Sequence, residues 1–373
     1  MQFIDLAAQQ ARIRDRIDTR IATVLDHGKY IMGPEVAELE ADLSAFCGAN
    51  HSLTCANGTD ALLLALMAFK VRTGDAVFCP TFTFAATAEV VPSLGAVPVF
   101  VDCDPDTYNM DPASLERAVE HAKALGLRPS VIIAVDLFGL PADYDAIEEI
   151  AVSEGMKLIA DSAQGFGGVY KGRNAGTIGD FATTSFFPAK PLGCYGDGGA
   201  LFTEDDELAE LVKSYRVHGK GGHKYDNQRI GMNSRLDTLQ AAILCEKLAI
   251  FGDELKRRNQ VADRYDAALS NMLVTPHVPD GLMSSWAQYT VRTEVGEGRD
   301  VIMSALEDAS VPTTIYYPLP LHQQTAYKGF PTDPNGLLVA ERLAQQVFSL
   351  PMHPYLTMED QDKVISALQD ALV

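Results

Sequence analysis

Residues 131–161 read VIIAVDLFGLPADYDAIEEIAVSEGMKLIAD, in which two apolar runs flank an amphipathic segment. The runs Val131–Val135 and Lys157–Ala160 predict strands, and Tyr144–Glu154 predicts a helix. Neither run alternates apolar with polar residues, which is typical of strands covered on both faces. A strand, a helix and a second strand in this order predict an α/β unit with parallel strands.

The same alternation continues through the first 250 residues. Further strands are predicted at Ala76–Cys79, Val97–Val101 and Ala200–Thr203, and further helices at Thr59–Phe69, Pro112–Ala124 and Glu204–Tyr215. Asp111 and Pro112 are suited to be the N-cap and the first-turn residue of one helix. The pattern predicts an α/β domain built on a mostly parallel sheet.

The chain length of 373 residues predicts about two domains, at ~100–200 residues per domain. Asp237–Leu269 carries apolar residues at helical spacing, which predicts one long helix or two. Beyond it, a strand is predicted at Ala287–Arg292 and helices at Val301–Asp308 and Leu337–Val347. We therefore expect a large domain with an N-terminal arm at residues 1–250 and a smaller α+β domain at residues 251–373.

The net charge bounds the partners of the protein. Thirty Lys and Arg against 50 Asp and Glu give a formal charge of -20, which disfavours nucleic acid and anionic membranes. A helix N-terminus and one lysine can still bind a small anion. No apolar run reaches the ~18–20 residues of a membrane span, and the N-terminus has no signal-peptide core.

The six cysteines lie far apart, without a CxxC pair. Their spacing supports neither a metal site nor a disulfide framework, so buried free thiols in a reducing cytoplasm explain them best. We expect a cytoplasmic protein without a metal.

Residues 184–199 read TSFFPAKPLGCYGDGG, which places Lys190 between two prolines and ahead of a glycine-rich run. The prolines stiffen the backbone around the lysine. A fixed, partly desolvated amine with a lowered pKa is suited to Schiff-base formation. On this stretch alone, a solvated surface lysine is the better interpretation.

Residues 157–165, KLIADSAQG, put Asp161 at the carboxyl end of a strand, where open α/β sheets bind ligands. A carboxylate there can keep a pyridinium nitrogen protonated. A helix N-cap explains Asp161 equally well.

Two further stretches suggest contacts with a cofactor. Residues 55–62, CANGTDAL, pass from a strand into a helix whose first amides could bind phosphate. On that stretch alone, an ordinary capped helix is the better interpretation. They match neither GxxxxGK[ST] nor GxGxxG. Residues 80–87, PTFTFAAT, could lay an aromatic ring against a cofactor, although core packing explains either phenylalanine better.

Taken in order, a phosphate-binding turn, an aromatic platform, a strand-end aspartate and a lysine 29 positions later are the parts of a pyridoxal 5′-phosphate site. The chain resembles the DegT-type nucleotide-sugar aminotransferases along essentially its whole length, from Phe3–Leu6 to Ser349–Pro354. The resemblance implies the fold-type-I architecture of aspartate aminotransferase, pyridoxal 5′-phosphate as cofactor, and a homodimer whose sites are completed across the interface.

The resemblance also implies roles for the residues of the cofactor site. Lys190 would bind the cofactor aldehyde and shuttle a proton, Asp161 would pair with the pyridine nitrogen, and Gln164 would lie beside the ring hydroxyl. The implied phosphate contacts are Ser185 and the amides of Gly58 and Thr59, and the implied stacking aromatic is Phe84.

Other implied roles involve the partner subunit and the substrate. The partner would insert residues 229–237, so that Asn233 reaches the phosphate and Arg235 faces the substrate. Helix capping and surface ion pairing are the alternative explanation of these two residues. Tyr316 and Tyr317 resemble positions near the sugar.

The activity implied is a ping-pong transamination in which glutamate donates an amino group, 2-oxoglutarate is released and a keto nucleotide-sugar is aminated. The similarity is greatest to enzymes that aminate C3 of UDP-2-acetamido-2-deoxy-3-oxoglucuronate for O-antigen or other surface polysaccharides. C3 or C4 amination of a dTDP- or UDP-hexose is an alternative. Sugar dehydration is disfavoured because a histidine replaces the lysine in that branch. A non-catalytic sensor or regulatory protein on the same fold is the alternative from another class.

Overall fold

Three sheets organise the protein, for which a computed structural model describes residues 1–223, 225–294 and 298–372. The strands are β1 (His51–Cys55), β2 (Asp75–Pro80), β3 (Val97–Val101), β4 (Arg128–Val135), β5 (Lys157–Asp161), β6 (Val169–Tyr170), β7 (Arg173–Asn174), β8 (Phe181–Ser185), β9 (Gly199–Thr203), β10 (Leu282–Met283), β11 (Tyr289–Arg292) and β12 (Val347–Leu350).

The largest sheet has seven strands in the order β1-β9-β8-β5-β4-β2-β3. The strands from β8 to β3 pair in parallel, whereas β9 pairs antiparallel with both β1 and β8. The mostly parallel α/β sheet predicted from the sequence is thus confirmed. Because the carboxyl ends of β4, β5 and β8 meet at one edge, the residues that end these strands lie close together.

Helices cover both faces of this sheet. The helices of the described residues, including those that pack elsewhere, are α1 (Leu6–His27), α2 (Pro34–Cys47), α3 (Gly58–Ala68), α4 (Ala86–Ser93), α5 (Pro112–Ala124), α6 (Tyr144–Glu154), α7 (Asp206–Tyr215), α8 (Thr238–Leu269), α9 (Arg299–Asp308), α10 (Leu338–Gln346) and α11 (Met358–Ala371), with 3-10 turns at Leu137–Gly139 and Leu321–Gln323. Asp111 caps α5 as predicted, accepting the amides of Ala113 and Ser114 at 3.0 and 3.2 Å.

Two buried clusters explain why the strands lack polar alternation. One joins α2, α5, α6 and α8 to the sheet through residues such as Leu39, Leu115, Ile147 and Leu244. The other joins α3, α4 and α7 to the opposite face through residues such as Leu64, Val91 and Val212. Since both faces are dry, an apolar side chain is favoured at every strand position.

The C-terminal part has a core of its own. Antiparallel strands β11 and β12 pack with α9, α11 and the end of α8 around Tyr265, Tyr289, Leu306, Phe348 and Leu368. Helix α8 packs against the large sheet at its start and enters this C-terminal core at its end. The domain boundary predicted near residue 250 therefore falls inside one helix, and it stays a prediction. In the part of the chain that the structure describes, no helix combines the length and the apolar character that a membrane crossing needs.

Candidate active site

A cavity of about 600 Å³ opens where β4, β5 and β8 end. Nine of the predicted site residues line it: Gly58, Thr59, Phe84, Asp161, Gln164, Ser185, Lys190, Tyr316 and Tyr317. They come from five separate stretches of sequence, which the fold brings together. The start of α3 and the end of β5 at Asp161 both contribute to its lining.

Asp161 is the last residue of β5 and is 5% exposed. Its Oδ1 accepts the amide of Ala163 at 3.2 Å, and its Oδ2 accepts the hydroxyl of Thr87 at 3.2 Å. Burial raises the pKa of Asp161 above its ordinary value, whereas these two hydrogen bonds and the Lys190 ammonium lower it. The N-cap interpretation is wrong, because residues 163–167 form turns and not a helix.

Lys190 lies in the loop after β8 and is partly buried in the cavity wall. Its amide donates to the carbonyl of Phe187 at 2.9 Å, which fixes the backbone beside the amine. Burial lowers the pKa of the Lys190 amine, and the charge of Asp161 opposes this effect. Lys190 is therefore not a solvated surface lysine, and its side chain is the only cation among the described residues that line the cavity.

A second lysine, Lys247, binds the loop that carries Lys190. Lys247 of α8 is 1% exposed, donates from Nζ to the carbonyl of Gly193 at 2.5 Å, and lies 4.5 Å from the centroid of the Tyr195 ring. Burial lowers the pKa of Lys247 to about 8. Nothing beside Lys247 in the sequence indicates this contact, because only the fold brings α8 next to the loop.

The start of α3 forms part of the cavity wall. Asn57 caps the helix, its Oδ1 accepting the amide of Asp60 at 2.8 Å, and leaves the amides of Gly58 and Thr59 available to a ligand. A Cβ on Gly58 would lie 2.7 Å from Cβ of Ser185, so only glycine allows β8 and α3 to approach this closely. Free amides at the positive end of a helix dipole are suited to a phosphate.

The two phenylalanines of residues 80–87 have different surroundings. Phe82 is 1% exposed and packs in the core, as the sequence predicted for both phenylalanines. Phe84 is 59% exposed and lines the cavity, so core packing is the wrong interpretation of this ring. An exposed aromatic face in a binding cavity is available for stacking on a planar ligand.

One wall of the cavity is a hydrogen-bonded set of polar side chains. Gln164 accepts the amide of Phe138 at its Oε1 (2.8 Å) and donates from Nε2 to the Tyr317 hydroxyl (3.2 Å). Burial raises the pKa of Tyr317, so its hydroxyl stays protonated. The ring of Tyr316 lies 6.4 Å from that of Phe3, which places the N-terminal arm beside the cavity.

Asn233 and Arg235 do not line the cavity of their own chain. Arg235 donates to Oδ1 of Asn233 at 2.5 Å, and Asn233 is exposed. Between them, Ser234 accepts the amide of Ala56 at 3.2 Å and so ties this loop to the phosphate turn. The roles predicted for Asn233 and Arg235 in a second subunit stay predictions.

The cavity lining also includes residues that no sequence motif indicated, among them Ile4, Thr87 and Gln288. Thr87 lies inside the quoted stretch 80–87, but nothing local shows that its hydroxyl orients Asp161. Gln288 precedes β11 and reaches the cavity from the C-terminal part.

All six cysteines are free and buried, as predicted.

The sequence matches the DegT/DnrJ/EryC1/StrS aminotransferase family over residues 11–369. The chain belongs to this family. Members are aminotransferases that use pyridoxal 5′-phosphate, and both the activity and the cofactor expected from the sequence are thereby confirmed.

Individual relatives of this aminotransferase cover the whole chain. The UDP-2-acetamido-2-deoxy-3-oxo-D-glucuronate aminotransferase of Pseudomonas aeruginosa is 49% identical over 369 residues, 99% of each chain. A pleiotropic regulatory protein of Geobacillus stearothermophilus is 41% identical and covers 99% of this chain and 97% of its own.

Solved structures give the same result for the fold. A DegT/DnrJ/EryC1/StrS aminotransferase from Brucella abortus superposes with a TM-score of 0.98 at 52% identity, covering 100% of this chain and 99% of its own. NtdA from Bacillus subtilis, solved with its cofactor PMP, has a TM-score of 0.88 at 30% identity and covers 99% of this chain and 83% of its own. The fold-type-I architecture expected from the sequence is confirmed.

The cavity of this aminotransferase fits the cofactor on four observations. The helix start at Gly58 offers free amides for the phosphate, and Phe84 offers an uncovered aromatic face. Asp161 is a buried carboxylate held in place by two hydrogen bonds. Lys190 supplies a partly buried amine in the same lining.

Proposed function

We propose that this aminotransferase transfers an amino group from glutamate to C3 of UDP-2-acetamido-2-deoxy-3-oxo-glucuronate, in the biosynthesis of a surface polysaccharide. The observation that carries the substrate is the 49% identity, over 99% of both chains, to the enzyme of that name. Six buried free thiols support a reducing cytoplasm as the place where the enzyme works.

Several cavity residues would each make a specific contact with the cofactor. When bound, pyridoxal 5′-phosphate supplies a carbon that exchanges amino groups and a cationic ring that withdraws electrons from it. Asp161 would hold the proton on the ring nitrogen, since a buried carboxylate interacts strongly with a nearby cation. Phe84 would cover one face of the ring, and Gln164 would donate to or accept from the ring hydroxyl.

Lys190 would act as the general acid and base of the reaction. Burial lowers the pKa of its amine, so a larger fraction is unprotonated near neutral pH than for an exposed lysine. The amine is thus suited to move a proton between the substrate carbon and the cofactor. The amides of Gly58 and Thr59 and the hydroxyl of Ser185 would hold the phosphate.

A second copy of the chain would complete each site. Two anions, the cofactor phosphate and the nucleotide diphosphate, must bind in this cavity. Of the described residues that line it, Asp60, Asp161 and Asp197 are acidic and only Lys190 is a cation. The loop that carries Arg229, Asn233 and Arg235 lies outside its own cavity, and Ile230 in it is 93% exposed. We propose a homodimer in which this loop supplies Asn233 to the partner's phosphate and Arg235 to its substrate.

The regulatory name of the Geobacillus relative favours one second candidate, a non-catalytic sensor. Binding alone needs neither a partly buried amine nor a buried carboxylate positioned across the cavity from it. Lys190 and Asp161 therefore count against this candidate. Relatives that aminate dTDP- or UDP-hexoses share less sequence, for example 37% with a dTDP-3-amino-3,4,6-trideoxy-alpha-D-glucose transaminase of Streptomyces venezuelae.

The test follows the cofactor absorbance of the purified enzyme through the two half-reactions. Glutamate should bleach the visible band, and the UDP-linked 3-oxo uronate should restore it. The matched control is the same nucleotide sugar with a 6-hydroxymethyl group in place of the carboxylate, followed by 4-oxo hexoses. Equal restoration by these controls would contradict the substrate, and no response to glutamate would favour the sensor.

A further inference from the structure

Gln288 has an unsatisfied acceptor at the edge of the active-site cavity. Its side chain lines this cavity together with Gln164 and Tyr317, and it also lines a much smaller cavity behind the wall, of about 20 Å³. The Oε1 atom is buried and has no hydrogen-bond partner among the described residues. Buried carbonyl oxygens are nearly always paired, so an exception in a binding site calls for an explanation.

The backbone that carries Gln288 is held firmly. Its amide donates to the carbonyl of Phe138 at 3.3 Å, and Ser285 donates from its amide to Gly139 (2.9 Å) and from its hydroxyl to the carbonyl of Gln164 (2.6 Å). Trp286 is fastened on the other side, its carbonyl accepting from Arg258 at 2.8 Å. The unpaired oxygen therefore belongs to an ordered segment and not to a loose end.

The neighbouring backbone is strained as well. Phe138 and Trp286 both have left-handed backbone angles, with φ of 58° and 52°. Such conformations are costly for residues other than glycine and concentrate at functional sites. These two strained residues line the smaller cavity together with Gln288, so the unsatisfied acceptor belongs to a residue that lies between strained backbone and the active-site cavity.

The two carboxamides of this wall differ in what they can still bind. Each polar atom of Gln164 already has a partner, Phe138 or Tyr317, and its remaining hydrogen-bonding capacity would go to the ring hydroxyl of the cofactor. Gln288 keeps an acceptor, which only an O–H or N–H group can satisfy. Resting on the proposed function, the candidates are the two donors that flank C3 of the sugar, the acetamido N–H at C2 and the hydroxyl at C4.

We propose that Gln288 is a specificity-determining residue that accepts a hydrogen bond from a donor flanking the reacting carbon of the nucleotide sugar. The acceptor is closed to solvent and unsatisfied in the free enzyme, so the half-buried carboxamide turns toward the sugar when the bond forms. Glutamate, which binds in the other half-reaction, does not use it.

The experiment compares the enzyme with its Gln288→Met variant, which keeps the length of the side chain and removes both polar atoms. We expect the melting temperature of the cofactor-loaded enzyme to stay equal or rise, because a buried unpaired oxygen is removed. The half-reaction with glutamate should stay within about twofold. The KM for the nucleotide sugar, and its dissociation constant from calorimetry, should rise about tenfold.

Gln346→Met is the matched control. Gln346 is a buried glutamine of the C-terminal part whose Oε1, like that of the half-buried Gln288, is unpaired among the described residues. Its Nε2 donates to the carbonyl of Glu294 at 3.0 Å, and the residue does not line the cavity. This variant should melt at a lower temperature and leave the KM for the sugar unchanged.

Analogues of the sugar identify the donor. If the 4-hydroxyl is bound, a 4-deoxy analogue should bind the enzyme and the Gln288→Met variant equally well. If the acetamido N–H is bound, an analogue with hydrogen at C2 should abolish the difference instead. A tenfold difference that survives both analogues would contradict the proposal.

Two other results would overturn it. A lower melting temperature with an unchanged KM for the sugar would show that the oxygen serves a water in the small cavity. An equal loss in both half-reactions would show a general distortion of the site. Failure of the unmodified enzyme to react with glutamate would count against the proposed function instead, and the calorimetric comparison would still decide the role of Gln288.

Discussion

The surroundings of Asp161 act on the pKa of its carboxyl group in opposite directions. Burial raises its pKa, while the Ala163 amide, the Lys190 ammonium and the Thr87 hydroxyl lower it. A cationic ring in the cavity would add a further favourable charge and keep the carboxylate ionised. The residue is therefore suited to a cationic partner and poorly suited to an empty apolar pocket.

Asp161→Asn is expected to lower turnover at least ~100-fold, or about 3 kcal/mol, because a neutral amide does not stabilise the ring cation. Cofactor retention should persist through the helix start at Gly58. The measurement is kcat for the nucleotide sugar beside the cofactor content of the purified variant.

Asp180→Asn is the control for this prediction. Asp180 accepts the amide of Leu158 at 2.9 Å at the opposite end of β5, away from the cavity. This change should lower stability slightly and leave kcat unchanged. If both variants lost turnover alike, the role of Asp161 would be structural.

Phe82 and Phe84 separate a core role from a binding role two residues apart. Phe82→Ala removes a buried ring and should lower the free energy of unfolding by about 3–5 kcal/mol. Phe84→Ala removes an exposed ring and should change the stability of the cofactor-free protein by less than about 0.5 kcal/mol. Its cofactor affinity should fall instead, as measured by dialysis and absorbance; undiminished affinity would contradict stacking by Phe84.

Helix α8 joins the two cores and holds the catalytic loop through Lys247. The pKa of Lys247, about 8, lies below the ordinary 10.5, because burial disfavours the charged amine. Between these two values the unfolded chain holds a proton that the folded chain has released. The free energy of unfolding therefore rises with pH across this window.

Lys247→Met removes this dependence. The unmodified protein should gain up to ~3 kcal/mol on the variant as the pH rises from 8 to 10.5. Urea denaturation of the cofactor-free proteins at several pH values measures the difference. Lys256→Met, an exposed position on the same helix, should show no such trend. A gain that shrank with rising pH would show that the Lys247 pKa is not lowered.

Local patterns predicted most elements. Val97–Val101, Pro112–Ala124 and Tyr144–Glu154 have the predicted bounds, because apolar runs and a proline beside a capping aspartate mark their ends. The long segment after Asp237 is one helix, which periodicity alone could not distinguish from two.

The candidate site could be predicted only where its chemistry lies in a local motif. Lys190, Asp161 and Gly58 each sit in a short stretch with a pattern of its own. Lys247 and Gln288 act through contacts with residues more than 50 positions away, and nothing beside them in the sequence indicates these partners. Burial, which changes the pKa of both lysines, likewise depends on the whole fold.

At the scale of the whole molecule, the acidic chain must bind anions in a cavity to which the described residues contribute one cation, Lys190. The proposed homodimer answers this by exchanging the loop with Asn233 and Arg235. If sites are shared, mixing Lys190→Ala with Arg235→Ala chains should create one intact site in each mixed dimer. After co-refolding, activity should recover to about a quarter of the unmodified level.

A second mixture controls for nonspecific recovery. Lys190 and Asp161 line the same cavity of one chain, so Lys190→Ala with Asp161→Asn leaves a defect in every site of a mixed dimer. Activity should stay low. Recovery in this mixture, or none in the first, would contradict the shared site.

The most direct measurement for the whole account is chemical: borohydride reduction of the enzyme with pyridoxal 5′-phosphate, followed by mass spectrometry of its peptides. The cofactor mass should be found on Lys190 and lost, together with the visible absorbance and turnover, in Lys190→Ala. Cofactor attached to another lysine, or near-normal transamination by the variant, would contradict the account.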